Sequence, residues 1–360
     1  MKNKNKISKI NIRNKDTNCL LNLYLLLFLL ILIESKERKI AKLKLNLNSE
    51  ITLTINGNET QQILCNRTFY VRDVGFVQFT NIPDEIYVNN IYQNKTDFYV
   101  YNLENEINNI TMIWYSQLEH CNCMFMDLTN IIRIDFSKFD SSKVTQMYNM
   151  FHGCNSLTSI DFTNFYTPLV TGMNYLFYRC FSLKSLDLRT FDTSKVIDMQ
   201  NMFYECISLK YLDVSSFNTS LVNNMANMFN LCKSITSLDL RSFDTSSVTI
   251  LNYMFSYCQS LKTIKFNFNT INVKEMANMF YSCSSLIYLD LRSFDTRSVV
   301  YSSGMFENIR QNITMCFIDS LDIHSDAFML SLVNYYIFNC SNECFSSENF
   351  SLILEKNKCV

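Results

Sequence analysis

The chain has 360 residues, of which 48% are hydrophobic and 14% are aromatic, so it is long enough to bury a large core. Its formal net charge of −1 and the lack of a basic patch exclude a protein built to bind nucleic acid. No glycine-rich phosphate loop and no nucleophile elbow occurs, so the sequence predicts neither an enzyme nor a bound cofactor or metal.

A basic segment followed by an apolar run opens the chain. Residues 1–18 are rich in lysine and arginine, and Cys19–Ile33 is almost entirely apolar. This order is typical of a secretory signal, and the run is shorter than the roughly 20 residues that span a bilayer. No small-residue cleavage site follows, so an uncleaved signal anchor and a buried helix stay open as alternatives. We predict residues 1–35 to be a signal peptide or signal anchor, with membrane contact only through Cys19–Ile33 if the segment is not cleaved.

The next stretch alternates between apolar and polar residues, as half-buried β-strands do. Ile51, Leu53 and Ile55 show this period of two, and Asn56-Gly57 is a strong hairpin-turn signal. Further runs that favour strands lie within 69–79, 86–92, 98–101 and 110–115. We predict residues 36–120 to form a β-rich N-terminal cap, because the first strand of a stacked fold needs its hydrophobic edge covered.

From residue 121 the chain repeats itself. A phenylalanine, usually preceded by methionine, recurs every 25 or 26 residues, at Phe125, Phe151, Phe177, Phe203, Phe229, Phe255, Phe280 and Phe306. A fixed period of this size indicates stacked repeats, none of which can bury its apolar face alone.

Each copy combines two patterns. Leu183, Leu186 and Leu188 show the L-x-x-L-x-L spacing of a short leucine-rich-repeat strand. An Asp-Thr-Ser turn follows at 192–194, and apolar residues three or four apart then predict a short helix. The predicted fold is an α/β solenoid, a leucine-rich-repeat-like stack of seven 25–26-residue repeats over residues 121–306 with a parallel sheet on one face.

Beyond residue 306 the repeat decays. We predict residues 307–360 to be a C-terminal cap with a cysteine-containing tail. Within it, 313–318 is expected to add a last strand and 326–338 a closing helix.

The cysteines fall into two groups. Six recur three residues after the repeated phenylalanine, at Cys154, Cys180, Cys206, Cys232, Cys258 and Cys283. Leu128 and Ile309 occupy the same slot in the flanking copies, so we predict a column of buried free thiols. The others are predicted to form cap disulfides whose pairing the sequence does not reveal: Cys65, Cys121, Cys123, Cys316, Cys340, Cys344 and Cys359. His120, Cys121 and Cys123 could also contribute to a zinc site, but a cap disulfide is favoured because no second ligand pair follows.

The outward-facing residue of each repeat strand is the candidate for ligand binding. An aspartate stands between the two inward residues in six copies, at Asp135, Asp161, Asp187, Asp213, Asp239 and Asp290, and an arginine follows two residues later at Arg189, Arg241 and Arg292. Such a column is read in three ways: a solvated face screened by the arginines, a surface that binds a protein ligand, or a calcium site. Strand-borne carboxylates lack the clustered loop oxygens of a calcium cage, which disfavours the third. Solenoids bind ligands on this face, which supports the second.

The repeat pattern M-F-x-x-C-x-S-L-x-x-L-D-L-x-x-F-D-T-S-x-V-x-x-M, clearest in Phe177–Phe203, resembles the BspA-type leucine-rich repeat surface proteins, also called the bacterial surface 26-residue repeat family. The resemblance implies a horseshoe-like solenoid displayed outside the cell. It also implies adhesion and binding of host or matrix proteins, and it carries over no catalytic residue.

The predicted function is that of a secreted or cell-surface binding protein that takes part in adhesion or protein–protein recognition through its concave sheet. Expected partners are extracellular or host and matrix proteins, or copies of the chain itself. The alternative is a structural surface-coat protein that associates laterally with itself. An intracellular adaptor would require the apolar run near the N-terminus to be a core helix.

Overall fold

Short β-strands form the regular secondary structure of the residues that the computed structural model describes, which are 48–71, 75–94, 99–310, 313–317, 336–339, 354–355 and 358–359. The predicted leader, 1–35, lies outside them. The strands that precede the repeats are β1 Ser49–Asn56, β2 Thr60–Gln62, β3 Thr68–Val71, β4 Gly75–Gln78, β5 Glu85–Val88, β6 Ile91–Tyr92, β7 Val100–Asn102 and β8 Ile107–Trp114. The repeat strands are β9 Ile131–Lys138, β10 Ser159–Asp161, β11 Ser185–Asp187, β12 Tyr211–Asp213, β13 Ser237–Leu240, β14 Thr263–Phe266, β15 Tyr288–Asp290 and β16 Thr314–Phe317. The remaining strands are β17 Tyr336–Asn339, β18 Leu354–Glu355 and β19 Lys358–Cys359.

The repeat strands lie side by side in parallel, as predicted. β9 pairs with β10, β11 with β12, β13 with β14 and β15 with β16, always with equivalent residues of neighbouring copies opposite one another. Leu186, for example, lies opposite Leu212. A second column of parallel bridges connects the other side of every turn, from His120 through Gln146 and Gly172 to Tyr301. The chain therefore winds into a solenoid of about seven turns.

The predicted helix in each repeat is wrong, and the fold is a β-solenoid rather than an α/β solenoid. None of the described residues is helical. In the turn around Phe203, Asn201 and Glu205 have φ angles of 56° and 59°, and left-handed residues of this kind interrupt an α-helix. The N–H groups of Asn201, Phe203 and Glu205 donate to carbonyl groups of the next turn at 2.7–2.9 Å, whereas a helix would bond them within itself.

The apolar residues of this stretch nevertheless point inward, as predicted. Val196, Met199 and Met202 are fully buried. The repeated phenylalanines form a continuous stack from Phe125 to Phe306, in which successive rings lie 5.3–6.0 Å apart and within 18° of parallel. Aromatic pairs of this kind contribute about 0.5–1.5 kcal/mol beyond the burial of their area, so each turn is held by its neighbours.

The six cysteines after the phenylalanines are buried free thiols, which confirms the predicted column. Their thiols also form hydrogen bonds, which the prediction of a small apolar side chain at this position did not include. Each Sγ–H donates to the carbonyl of the phenylalanine one turn earlier, at 3.1–3.2 Å, as Cys206 does to Phe177. Each of these carbonyls also accepts a backbone N–H from three residues later, so the thiols add a second hydrogen bond to one carbonyl in each turn from the first to the sixth.

The Asp-Thr-Ser turn joins consecutive turns of the solenoid instead of capping a helix. Asp192 accepts a hydrogen bond from the N–H of Ser194 at 2.9 Å, as expected of an aspartate in a turn. The buried hydroxyl of Thr193 donates to the carbonyl of Asn218 at 2.9 Å and accepts from its N–H at 2.8 Å. Equivalent hydroxyl–carbonyl bonds start from Ser141, Thr167, Thr219, Thr245 and Thr270, and we call this series the threonine ladder.

The residues before the repeats are rich in strands, but they do not form a separate cap. β1 lies between β8 and the first repeat strand, β9, and is antiparallel to both. The result is one six-stranded sheet in the order β10-β9-β1-β8-β5-β6. The predicted hairpin at Asn56-Gly57 is wrong, because β1 pairs with β8 and β9 while β2 pairs with β7.

After the last phenylalanine the described chain adds two more parallel strands. β16 pairs with β15, which confirms the strand predicted at 313–318, and β17 pairs with β16. The predicted closing helix at 326–338 is wrong where the chain is described, because 336–339 is a strand. The remainder of that prediction lies outside the described residues.

Candidate functional site

The six aspartates predicted to face outward do so. In β11, Ser185 and Asp187 are exposed and Leu186 between them is buried. The other repeat strands have the same orientation, although the central Ile160 and Leu212 and the outward Asp290 are half-buried. Asp135 lies opposite Asp161 on the neighbouring strand, and Asp187 lies opposite Asp213. We call the face that carries these side chains the outer face of the sheet.

Each aspartate fixes the backbone at the end of its strand. Oδ1 accepts a hydrogen bond from the N–H two residues later at 2.8–3.2 Å, as Asp161 does from Thr163. The carboxylates are therefore held in place before any partner arrives, which reduces the ordering cost of binding.

Three of the aspartates are also neutralised within their own turn. Nε and Nη2 of Arg189 donate to the two carboxylate oxygens of Asp187 at 2.9 and 2.6 Å, and Arg241 and Arg292 make the same fork with Asp239 and Asp290. The hydrogen bonds from Arg189 lower the pKa of Asp187 to about 2. The predicted screening of the acidic column by arginines is therefore present at half of its positions.

A groove with a volume of about 610 Å³ lies on the outer face where β1 meets the repeat strands. Side chains from separate parts of the chain converge there, among them Thr52, Thr54, Arg133, Asp135, Asp161, Tyr166, Asp187 and Arg189. The lining combines carboxylates, guanidinium groups, hydroxyl groups and one exposed aromatic ring. It can form hydrogen bonds and ion pairs of both signs.

Two groove carboxylates, Asp135 and Asp161, have no arginine fork. The hydroxyl and N–H of Thr163 lower the pKa of Asp161, and the positive charge of Arg133 lowers it further. Asp213, at the next-but-one turn, has an equivalent hydrogen-bond donor in Ser215 but does not line the groove. The hydrogen bonds from Ser215 and the charge of Arg189 lower its pKa, and the charge of Asp187 on the neighbouring strand raises it. Asp213 is therefore a matched carboxylate outside the groove.

The structure brings together only part of the predicted site. Asp135, Asp161, Asp187 and Arg189 line the groove, whereas the other five predicted residues lie outside it on the outer face, at Asp213, Asp239, Arg241, Asp290 and Arg292. In the sixth repeat strand Lys265 replaces the aspartate and lies opposite Asp239, and its charge contributes to lowering the pKa of that carboxyl.

The cysteines outside the column have different environments. Cys65, Cys121 and Cys123 are buried and carry free thiols. Cys316 is disulfide-bonded. Cys340 and Cys344 lie outside the described residues, and Cys359 belongs to β19. Disulfides among the remaining cysteines stay a prediction.

Two further findings concern the described residues alone. They contain no group of three or more His, Cys, Asp or Glu side chains placed to hold a metal ion. No helix among them has the length and apolar character needed to cross a membrane.

Sequence reasoning missed the part of the groove that comes from outside the repeats. Thr52 and Thr54 face outward because they alternate with the buried Ile51, Leu53 and Ile55. The alternation was visible in the sequence, but the pairing of β1 with β9, about 80 residues later, was not. Arg133, on the first repeat strand, also went unnoticed because the other copies carry serine, threonine or tyrosine at that position.

The fold and the outer face define the class of protein: a β-solenoid of 25–26-residue turns that presents one polar sheet face. The family described as "Mycoplasma protein of unknown function, DUF285" matches residues 89–210, 181–288 and 229–325. The matches overlap and together span 89–325, which is more than half of the 360 residues, so the chain belongs to this family. No curated protein matches the chain.

Proposed function

We propose that this protein is an extracellular or cell-surface binding protein that recognises another protein through the outer face of its sheet, with the groove as the centre of the contact. The convergence of Arg133, Tyr166, Asp161 and Arg189 in one groove is the observation that carries the proposal. Tyrosine and arginine are enriched among the residues that dominate binding energy at protein interfaces. The partner is expected to be an extracellular or matrix polypeptide, and adhesion is the expected consequence.

The rigidity of the groove supports recognition of a defined partner. Its carboxylates are anchored by backbone N–H groups, and its strands belong to a stack held by buried phenylalanines, thiols and threonines. A site built on strands loses little conformational freedom when it binds. The resemblance of the repeat to BspA-type surface proteins supports the same assignment.

Charge pairing in the groove defines the experiment. Peptides are selected from a random library displayed on phage, with the full chain immobilised, and their affinities are measured in solution for the wild type and two variants. Asp161→Asn removes one carboxylate charge from the groove but keeps an oxygen for the N–H of Thr163, and Asp213→Asn makes the same change outside the groove.

We expect Asp161→Asn to weaken the selected peptides about 10-fold or more, and Asp213→Asn to leave affinity unchanged within about 2-fold. Equal losses in both variants would reject the groove as the site, and so would the absence of a loss in either. Arg133→Gln provides a second groove variant, which removes a positive charge from the groove instead of a negative one.

We also propose that the protein is exported, on the basis of the basic segment and the apolar run Cys19–Ile33. Biotinylation of intact cells with a membrane-impermeant reagent is expected to label the chain at the surface or to find it in the medium. A chain that is found only inside the cell would contradict the extracellular function. Sedimentation velocity tests the alternative of a surface-coat protein. Assembly that increases with protein concentration in the absence of a ligand would favour lateral self-association.

A further inference from the structure

Two of the described thiols stand apart from the rest. The six column cysteines and Cys121 belong to the main hydrophobic core. Cys65 and Cys123 instead share a small separate cluster with Met126, and both are fully buried. These two cysteines come from distant parts of the chain and lie against each other.

A backbone hydrogen bond joins the two segments beside this pair. The N–H of Cys65 donates to the carbonyl of Met124, the residue after Cys123, at 2.9 Å. The two free thiols share one buried cluster next to this bond, and a disulfide between them requires Cα atoms about 4.4–6.8 Å apart. An ion pair of 3.2 Å between Arg67 and Asp127 closes the same junction at the surface.

We propose that Cys65 and Cys123 form a disulfide bond that fastens the β-rich segment before the repeats to the first turn of the solenoid. The bond would close a loop of roughly 60 residues that contains β3 to β8. Closing a loop of this length reduces the conformational entropy of the unfolded chain. This inference concerns the stability of the fold and does not depend on the groove.

Thiol–disulfide exchange with a small disulfide such as oxidised glutathione provides the chemistry. The thiolate of Cys65 attacks one sulfur of glutathione disulfide, forming a mixed disulfide and releasing one glutathione thiolate. The thiolate of Cys123 then attacks Sγ of Cys65 and releases the second glutathione. The two cysteines lose two electrons and two protons, and one glutathione disulfide becomes two glutathione thiols.

The environment indicates when the bond forms. Burial raises the pKa of both thiols, that of Cys123 to about 12, so the reduced pair exchanges slowly once the chain is folded. The N–H of Arg67 lies 3.4 Å from Sγ of Cys65 and favours the thiolate there. We therefore place the exchange during folding, before both thiols are buried.

Mass spectrometry of the full chain tests the pairing. The reduced chain is refolded from urea in a mixture of oxidised and reduced glutathione, free thiols are alkylated after denaturation, and the protein is digested without reduction. Besides the bridge of Cys316, we expect a linked peptide pair that joins residues 65 and 123, with the six column cysteines alkylated. Alkylation of both Cys65 and Cys123, or their linkage to other cysteines, would overturn the proposal.

Thermal unfolding provides a second measurement with matched controls. Dithiothreitol is expected to lower the melting temperature of the wild type about 10 °C further than that of Cys65→Ser, the order expected for a bridge that closes a loop of this length. Cys121→Ser, which alters the neighbouring core thiol, is expected to respond to dithiothreitol like the wild type. Dithiothreitol also reduces the disulfide of Cys316, so the informative quantity is the difference between the two proteins in how far their melting temperatures fall. Equal falls in the wild type and in Cys65→Ser would reject the bond.

Discussion

The threonine ladder offers the sharpest test of how the turns hold together. Thr193 is 1% exposed, and its hydroxyl both donates to the carbonyl of Asn218 and accepts from its N–H, at 2.9 and 2.8 Å. Thr193→Val keeps the shape and the β-branch of the side chain but removes both hydrogen bonds. The substitution therefore isolates the polar contribution of one ladder position.

The expected loss follows from the two backbone groups left behind. An unsatisfied buried donor or acceptor costs about 1–3 kcal/mol. Asn218 is itself exposed, so water can reach part of its backbone and the two losses do not add in full. We expect Thr193→Val to lower the free energy of unfolding by about 1–3 kcal/mol, measured by urea denaturation of the full chain.

Two controls separate hydrogen bonding from packing. Thr193→Ser keeps the hydroxyl, and Ser141 makes the same two bonds to Tyr166 naturally, so a loss of less than about 1 kcal/mol is expected. Thr296 is equally buried, but within the described part of the chain its hydroxyl has no hydrogen-bond partner. Thr296→Val is therefore expected to be neutral within about 0.5 kcal/mol or slightly stabilising.

Equal losses for Thr193→Val and Thr193→Ser would refute the reasoning, because the methyl group and not the hydroxyl would then account for the effect. The slope of each urea transition must be compared as well. Stacked repeats can lose cooperativity, and a changed slope would mean that the two-state free energy no longer applies.

Three other changes probe the interior, a buried titration and the outer face. Gly172→Ala is expected to cost about 1–3 kcal/mol in urea unfolding, because a Cβ there would overlap the ring of Tyr148; a loss below about 0.5 kcal/mol would contradict this. Burial lowers the pKa of His152 to about 4, so the folded state takes up a proton less readily than the unfolded chain. The free energy of unfolding is therefore expected to fall by as much as about 3 kcal/mol as the pH drops from about 6.5 to 4. His152→Tyr, which introduces the residue found in the next two turns, should remove this pH dependence, and an unchanged urea-midpoint profile would reject the assignment. For the outer face, NMR titration is expected to give Asp187 a pKa of about 2 that rises toward its ordinary value in Arg189→Gln, and an unshifted pKa in that variant would show that the fork does not form.

The stack was predictable from the sequence because its inward residues repeat with one period. Phe177, Leu183, Leu186 and Cys180 recur at equivalent positions, and a repeated apolar pattern has no burial except against its own copies. The orientation of the aspartates followed from the alternation of side chains along a strand. The first inference compares the copies with one another, and the second needs only one copy.

The predicted helix is wrong because apolar residues three or four apart occur both in an α-helix and in this solenoid turn. Val196, Met199 and Met202 would line one side of a helix, yet they also point inward from a turn whose alternate N–H groups bond the next turn. The signal that separates the two is the residue two before the phenylalanine. It is asparagine at Asn201 and Asn227, and asparagine tolerates the left-handed backbone that a helix interior excludes.

The pairings that involve residues outside the repeats were beyond the reach of a single sequence. β1 joins β9, and Cys65 meets Cys123, across separations that no periodicity connects. Only the alternation around Leu53 showed that β1 had one face for the core and one for solvent. The groove depends on this join, which is why Thr52 and Arg133 were not predicted as part of a site.

The copies of the repeat differ most where stacking does not constrain them. An inward side chain must fit against its equivalents in the turns above and below, so one residue type runs along the whole column, as the phenylalanines do. The outward residue before each central strand position faces solvent and changes from copy to copy: Arg133, Ser159, Ser185, Tyr211, Ser237, Thr263 and Tyr288. The outer face can therefore change its chemistry without loosening the stack. In the proposed binding function, the N-terminal end of that face would determine specificity, because β1 adds Thr52 and Thr54 there, side chains that no repeat supplies.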